Sequence, residues 1–206
     1  MSKQQPASAI RALAGELKQA DGAATPAFGE NYVQEALGKQ PDLADVGLEW
    51  HLIGHLQSNK AADAARAFDW VQTVDRAKLV TALARHRPEG RTPLNVLVQV
   101  NVDDEASKHG CAPGEIDALA AAIAAQPRLA LRGLMAIPAP HEDPALRRDA
   151  FARMRGLFDA LAARHPAIDT LSMGMSADYV QAIEAGATMV RVGSALFGPR
   201  GARKPL

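Results

Sequence analysis

The chain has 206 residues, of which 48% are hydrophobic, with 23 Lys and Arg against 23 Asp and Glu. This length suits one α/β domain with a sizeable core. The balanced charge creates no field that would attract nucleic acid or an anionic membrane, and no apolar run is long enough to span a bilayer. The single Cys111 excludes an internal disulfide and a cysteine-based zinc cluster, so we expect a protein of the reducing cytoplasm.

Short apolar runs alternate with helical patterns along the whole chain. The runs predict seven strands, at residues 27–31, 50–54, 70–74, 95–101, 131–137, 170–175 and 189–193. Between them, helices are predicted at residues 6–19, 33–39, 59–67, 76–87, 113–125, 144–164 and 177–185. This alternation favours a parallel sheet with right-handed crossovers, and runs that are apolar throughout are typical of strands covered on both faces. We therefore expect an α/β fold, a (β/α)₈ TIM-type barrel, with most of its first strand missing because the segment before Pro6 is too short.

The last two predicted strands each run into a turn of small residues. Residues 171–176 end on Ser176, and residues 189–194 end on Gly193 and Ser194. In a barrel, a phosphate commonly binds in these two turns. Glycine lets the backbone approach the anion, serine supplies a hydroxyl, and the N–H groups that open the next helix point at the ligand. The alternative is that Gly174, Gly193 and Gly198 serve backbone geometry alone.

Polar residues also follow the earlier predicted strands, where the mouth of the barrel is expected. Glu30 and Asn31 close the first run, and His51 and His55 flank the second. By itself, His51 is better explained as a core histidine bonded to a backbone carbonyl, and the strand-like context disfavours a helical metal pair with His55. Asn59 is equally suited to capping the next helix and to a site role.

Six stretches of the chain together resemble the pyridoxal phosphate homeostasis protein family, the single-domain relatives of the alanine racemase barrel. They occur in order at residues 6–10, 28–35, 50–60, 133–138, 172–176 and 191–194. The resemblance implies an alanine racemase N-terminal-domain-like barrel over residues 1–198 that binds pyridoxal 5′-phosphate (PLP), followed by a short basic tail at residues 199–206. Family members carry a leading helix and a complete first strand, so the resemblance also implies an open seam with unpaired strand edges here.

The resemblance implies that Lys3 anchors the cofactor. In this family, a lysine in a Ser-Lys segment shortly before Pro-Ala forms a Schiff base with the cofactor aldehyde, and Ser2-Lys3 before Pro6-Ala7 matches that pattern. Its amine must be neutral to attack, which requires a pKa depressed by burial or by cationic neighbours such as Arg191. Without the motif, Lys3 would be interpreted as a solvated lysine near a terminus.

The remaining cofactor-binding residues implied by the resemblance are Asn31, Ser176, Arg191, Gly193 and Ser194. The Ser176 hydroxyl and the backbone N–H groups of Gly193 and Ser194 would hold the phosphate, and Arg191 would face the pyridine nitrogen. A guanidinium can only donate, so it would keep that nitrogen unprotonated and make the ring a poor electron sink. The alternative for Arg191 is a structural ion-pair partner.

A carrier is favoured over a racemase. Alanine racemases use a second acid–base residue, a tyrosine delivered from a carboxyl-terminal β-domain of the partner subunit, and neither Tyr32 nor Tyr179 is expected to face Lys3 across the cofactor. We therefore expect a non-catalytic, monomeric protein that buffers PLP or delivers it to PLP-dependent apoenzymes, with no metal, nucleic-acid or membrane partner. The alternatives are a weakly active amino-acid racemase, a barrel lyase that acts on a sugar phosphate through a lysine imine, and a pure scaffold.

Overall fold

The computed structural model of the chain describes residues 1–21, 25–103, 109–139 and 143–198. The predicted tail at residues 199–206 lies outside the described residues.

All seven predicted strands are confirmed, with ends that differ by no more than two residues. They are β1 (Ala27–Glu30), β2 (Glu49–Leu52), β3 (Trp70–Val74), β4 (Leu94–Gln99), β5 (Leu129–Met135), β6 (Thr170–Met175) and β7 (Met189–Arg191). Each strand pairs in parallel with the next, in the order β1 to β7. The result is the expected TIM-type architecture, a nearly closed parallel barrel whose carboxyl strand ends share one face.

The predicted helices are also present: the first precedes β1, and the other six connect successive strands. They are α1 (Ala7–Asp21), α2 (Val33–Lys39), α3 (Ala61–Ala67), α4 (Ala77–His86), α5 (Ile116–Ala124), α6 (Pro144–Ala162) and α7 (Tyr179–Glu184), followed by a short α8 (Ser194–Phe197). The 3₁₀ turns Ser58–Lys60 and Pro113–Glu115 lead into α3 and α5. Asp143 caps α6 by accepting a hydrogen bond from Ala145 N at 2.8 Å. Within the described ranges, no helix is both long and apolar enough to cross a membrane.

Two cores lie on opposite faces of the sheet because side chains alternate along each strand. The larger core fills the space between the sheet and the helices. The smaller one consists of Trp70, Leu97 and Met135, with Met189 packed against it. Trp70 lies two residues from Gln72 on β3, and Gln72 is also buried. The interior of the barrel therefore holds polar side chains beside its apolar ones.

The seam between β1 and β7 is bridged by the first residues of the chain. Ser2 N donates to Gly29 O of β1 at 2.9 Å, and the Met1 amino group donates to Val192 O, just after β7, at 2.7 Å. The open seam expected from the sequence is therefore hydrogen-bonded at this point. The first two residues lie where an eighth strand would pair with both edges.

Close contact between β5 and β6 requires glycine at position 133. Gly133 has φ +142°, and a Cβ there would lie 2.0 Å from Thr170 O and 2.9 Å from Thr170 C. Both atoms belong to the backbone of β6, so neither can move without breaking the strand pairing.

We expect Gly133→Ala to lower the free energy of unfolding by about 3 kcal/mol, because it adds overpacking to a backbone conformation that disfavours alanine. Gly156→Ala is the control, since a Cβ at this position of α6 meets nothing within 4 Å. It should raise the free energy of unfolding by about 0.5–1 kcal/mol. Urea unfolding measures both, and similar values for the two variants would contradict the packing argument.

Candidate functional site

A cavity of about 150 Å³ lies at the carboxyl ends of the strands, next to the bridged seam. Five of the six predicted site residues line it: Lys3, Asn31, Arg191, Gly193 and Ser194. The sixth, Ser176, adjoins it, because its Oγ accepts a hydrogen bond from Gly193 N at 3.1 Å. The structure thus brings the six residues together, while the role of each stays a prediction.

The two small-residue turns meet as the sequence predicted. The Ser176 hydroxyl accepts from Gly193 N and keeps its own hydrogen available to donate. Gly174, near the end of β6, and Gly198 have φ of +91° and +81°, a backbone conformation that favours glycine, and a Cβ at Gly174 would also lie 2.5 Å from Ala182 Cβ. Gly193 has φ −131°, and space is its constraint, because a Cβ there would lie 3.0 Å from Met1 Cβ. Backbone geometry therefore accounts for two of the three glycines, and close packing against the first residue accounts for the third.

Arg191 ends β7 and is 5% exposed. Its Nη1 donates to Ser172 Oγ at 2.7 Å, and its Nη2 donates to Ala136 O at 2.8 Å. No salt bridge to Arg191 is recorded within the described ranges, so the structural ion-pair alternative gains no support there. Burial lowers the pKa of Arg191 to about 10, opposed only by the charge of Asp178, and the guanidinium stays protonated at neutral pH.

Lys3 is half-buried, and its Nζ lies over the ring of Tyr32, 5.1 Å from the ring centre. Tyr32 therefore contacts Lys3 directly, and whether a tyrosine can face Lys3 across the cofactor stays a prediction. Nothing in the sequence pattern signals this contact, because it depends on how the first residues cross the barrel mouth. The ammonium faces the π surface of the ring, an arrangement that stabilises a cation.

Ser2 is held in place by a buried ion pair. Its Oγ donates to Glu30 Oε1 at 2.7 Å, and Lys39 Nζ donates both to Ser2 O at 3.0 Å and to Glu30 Oε1 at 2.9 Å. Desolvation raises the pKa of the Glu30 carboxyl, against the opposing effects of Lys39 and Ser2. Sequence reasoning placed Glu30 at the end of a strand but missed this pairing.

Gln4, on the other side of Lys3, is held by Glu35. Gln4 N donates to Glu35 Oε1 at 2.5 Å, and Gln4 has φ +64°. Glu35 Oε1 also accepts from Lys39 Nζ at 2.6 Å, so one lysine connects both contacts. The i, i+4 spacing of Glu35 and Lys39 on α2 was a visible signal of an ion pair, although not of its role beside Lys3.

Asn31 follows β1 and brings an unsatisfied polar atom to the cavity. Its Oδ1 is buried and has no hydrogen-bond partner among the described residues. A buried side-chain amide normally has a partner, so Asn31 brings unused hydrogen-bonding capacity to the cavity, while its contact with a ligand stays a prediction. The amide can present either its oxygen or its NH₂ group toward a ligand.

A second cluster at the same face consists of His55, Asp75 and His109, whose ligand atoms all lie within 4.8 Å of one another. The two imidazole rings are stacked, with centres 3.8 Å apart and planes 14° from parallel. Lone pairs of stacked rings lie in separate planes and do not converge on one point, so the arrangement does not fit tetrahedral metal coordination.

Comparison with known proteins identifies the family. Residues 7–201 match the family described as alanine racemase, N-terminal domain. The pyridoxal phosphate homeostasis protein of Pseudomonas aeruginosa is 52% identical over 200 residues, which cover 97% of this chain and 83% of that protein. The protein of the same name from Escherichia coli K12 is 50% identical, covering 97% of this chain and 84% of its own length.

The solved structures of PipY from Synechococcus elongatus PCC7942 are similar over the same extent. The structure without PLP has a TM-score of 0.84 at 39% identity, and the structure with PLP bound has 0.81 at 37% identity. Both comparisons cover 96% of this chain and 90% of PipY. The chain therefore belongs to the alanine racemase N-terminal domain family and, within it, to the pyridoxal phosphate homeostasis proteins.

Proposed function

We propose that this chain binds PLP covalently through Lys3 and serves as a carrier that buffers the cofactor or delivers it to apoenzymes. The observation that carries the proposal is the cavity at the barrel mouth, where a lysine, a buried guanidinium and the two serine turns lie together. The names of the relatives and the PLP-bound structure of PipY support the same ligand.

The residues present fit this cofactor chemically. The Ser176 hydroxyl and the backbone N–H of Ser194 would hold the phosphate, while Gly193 N, which donates to Ser176 Oγ, would orient that hydroxyl. The Asn31 amide, whose Oδ1 is unsatisfied, would contact a polar substituent of the ring. When bound, PLP supplies an aldehyde that an amine captures covalently and a pyridine ring that can accept electrons.

Arg191 favours holding the cofactor over using it. Arg191 donates to Ser172 Oγ through Nη1 and to Ala136 O through Nη2. Because a guanidinium has five N–H groups, Arg191 can donate further hydrogen bonds into the cavity. Because Arg191 stays protonated, it can stabilise only an unprotonated ring nitrogen. A ring in that state assists carbanion chemistry weakly, which supports a carrier function.

Lys3 would be oriented through its two neighbours. Ser2 is bound by Glu30 and Lys39, and Gln4 is bound by Glu35, so the backbone is fixed on both sides of Lys3. A fixed backbone leaves only the side-chain torsions to be ordered when the amine bonds to the cofactor. The cost in conformational entropy is correspondingly reduced.

The proposal extends to residues 1–198 as one PLP-binding domain. Delivery to PLP-dependent apoenzymes, a monomeric state and a cytoplasmic location remain predictions.

Mixing the protein with PLP should produce a visible absorption band that is lost in Lys3→Ala, because the amine that captures the aldehyde is removed. Lys78→Ala is the control, since Lys78 is exposed on α4 and lies outside the cavity. It should retain the band. A wild-type protein that never acquires the band would contradict the proposed function, and a band that survives in Lys3→Ala would contradict the assignment of Lys3.

Glu35→Ala should weaken PLP binding about fivefold, because loss of the hydrogen bond from Gln4 N, worth about 1 kcal/mol, frees the backbone beside Lys3. Glu115→Ala is the control for loss of a carboxylate that accepts from a backbone N–H, here that of Ala112 at 2.8 Å. Glu35→Ala should lose more stability in urea, since Glu35 also pairs with Lys39, and only Glu35→Ala should change the dissociation constant measured by absorbance. Equal dissociation constants for the two variants would refute the orientation of Lys3 by Glu35.

The contact between Tyr32 and Lys3 raises a second candidate, a weak amino-acid racemase in which a tyrosine serves as the second acid–base group. A carrier needs only the ring of Tyr32, whereas a racemase needs its hydroxyl. Tyr32→Phe keeps the ring and removes the hydroxyl.

We expect the PLP-loaded protein to show no alanine racemisation that depends on Lys3, and Tyr32→Phe to keep the PLP dissociation constant within about twofold, since no hydroxyl contact is lost. Chiral chromatography of alanine after incubation measures the first, and absorbance titration measures the second. Tyr179→Phe is the control for loss of a tyrosine hydroxyl elsewhere. Racemisation that disappears in Tyr32→Phe but persists in Tyr179→Phe would establish the racemase instead.

A further inference from the structure

Five side chains form an unbroken series of hydrogen bonds through the interior of the barrel. Arg191 Nη1 lies 2.7 Å from Ser172 Oγ, and Ser172 Oγ lies 2.7 Å from Gln72 Oε1. Gln72 Nε2 lies 2.9 Å from His51 Nδ1, and His51 Nε2 lies 2.7 Å from Glu49 Oε1. We call these five residues the interior chain.

The hydrogens of the interior chain are all donated in one direction. Arg191 can only donate, so Ser172 Oγ accepts from it and donates its own hydrogen to Gln72 Oε1. The amide NH₂ of Gln72 then faces His51 Nδ1, which must accept, leaving the proton of neutral His51 on Nε2. That proton is donated to Glu49.

The second hydrogen of the Gln72 amide supports this orientation. Gln72 Nε2 also lies 3.1 Å from the Met189 sulfur, a weak acceptor. Gln72 therefore uses its oxygen and both amide hydrogens. Turning the amide over would place NH₂ against Ser172 and require a proton on His51 Nδ1.

The interior chain crosses the barrel from its carboxyl mouth to its amino end. Arg191 is the last residue of β7, and Glu49 is the first residue of β2. The bond between Gln72 and Ser172 joins β3 to β6, which are not neighbours in the sheet, so it spans the interior. His51, Gln72, Ser172 and Arg191 are each at most 5% exposed.

Charged groups at the amino end fix the last acceptor. The hydrogen bond from His51 lowers the pKa of Glu49, desolvation opposes it, and the charge of Arg132 lowers it further. Arg132 itself pairs with Asp169 and lies over the Trp70 ring, 4.9 Å from the ring centre. Trp70 in turn stacks on His51 at 5.2 Å. Glu49 is thus an ionised acceptor at neutral pH, and it sets the direction in which the hydrogens are donated.

We propose that Glu49, His51, Gln72 and Ser172 are positioning residues for Arg191. Glu49, His51 and Gln72 orient the Ser172 hydroxyl, which accepts from Arg191 Nη1. The guanidinium is thereby fixed at the wall of the cofactor cavity. The expected effect on PLP binding rests on the proposed function. The direction of the hydrogen bonds in the interior chain does not depend on any ligand.

If the interior chain only filled the barrel, the same packing would be needed but the hydrogen bonds would not have to be donated in one direction. The tautomer of His51 distinguishes this filling role from the positioning of Arg191. In the ligand-free wild-type protein at neutral pH, ¹⁵N NMR of the imidazole should show a proton on Nε2 and none on Nδ1. A proton found on Nδ1 would overturn the proposal.

Gln72→Glu should add a proton to His51 Nδ1, because a carboxylate only accepts hydrogen bonds. Since Glu49 still accepts from Nε2, the imidazole should then be protonated on both nitrogens. Asp169→Asn is the matched control, since it removes one carboxylate charge at the same end of the barrel without breaking the interior chain. It should leave the proton on Nε2. A variant Gln72→Glu whose His51 keeps the wild-type tautomer would also overturn the proposal.

The effect on Arg191 is measured with Gln72→Leu, which leaves the Ser172 hydroxyl without its acceptor. The guanidinium N–H groups of Arg191 should exchange with solvent about tenfold faster, and PLP should bind about tenfold more weakly with a shifted absorption maximum, as expected for about 1.4 kcal/mol of lost orientation. Ser172→Ala, which removes the acceptor of Arg191 Nη1 itself, gives the same readouts should Gln72→Leu fail to fold. Exchange rates equal to those of Asp169→Asn would overturn the proposal.

The two proposals fail in different ways. A wild-type protein with the Nε2 tautomer and slow Arg191 exchange that binds no PLP would refute the proposed function and support the interior chain. A protein that binds PLP, with the same affinity and spectrum in Gln72→Leu as in Asp169→Asn, would refute the positioning role alone.

Discussion

Two hydrogen bonds made by the first two residues support the whole candidate site. Ser2 N donates to Gly29 O and the Met1 amino group donates to Val192 O, which fastens the start of the chain to β1 and to the end of β7. Each such bond contributes about 1 kcal/mol, so its main consequence is geometric. Lys3, one residue further on, is brought to the barrel mouth beside the turn that carries Gly193. Glycine at position 193 also suits this arrangement, because a Cβ there would lie 3.0 Å from Met1 Cβ.

The two buried charges of the candidate site, on Glu30 and Arg191, have different kinds of partner. Glu30 is paired with Lys39 through Oε1, although desolvation still raises the pKa of its carboxyl. Arg191 instead donates to the neutral oxygens of Ser172 and Ala136, and its desolvation is reflected in a lowered pKa. A buried cation without a carboxylate partner remains attractive to an electron-pair donor. The first arrangement holds the backbone in place, and the second leaves free energy available for ligand binding.

Hydrophobic periodicity was sufficient to predict the seven strands, because strands buried on both faces are short apolar runs that stand out between amphipathic helices. The cavity residues were predictable for a different reason, since strand ends in a barrel meet at one face whatever the details of packing. The contact between Lys3 and Tyr32 was not predictable. It depends on the path of residues 1–5 across the mouth, which the left-handed backbone of Gln4 and its bond to Glu35 determine. His51 was interpreted as bonded to a backbone carbonyl, but it bonds to two side chains, because its partner Gln72 comes from the next strand.

The interior of the barrel shows why its polar residues are better explained by a ligand than by folding. TIM-type barrels fill their interiors with layers of branched apolar side chains, which need no hydrogen-bond partners. Here Gln72 and Ser172 are buried beside Trp70, Leu97 and Met135, and each needs a correctly oriented partner. Apolar residues of similar volume would fill the same space without that requirement. The polar series ends on the Arg191 guanidinium, which borders the cavity, so its contribution to the barrel is a fixed charge at the cavity wall.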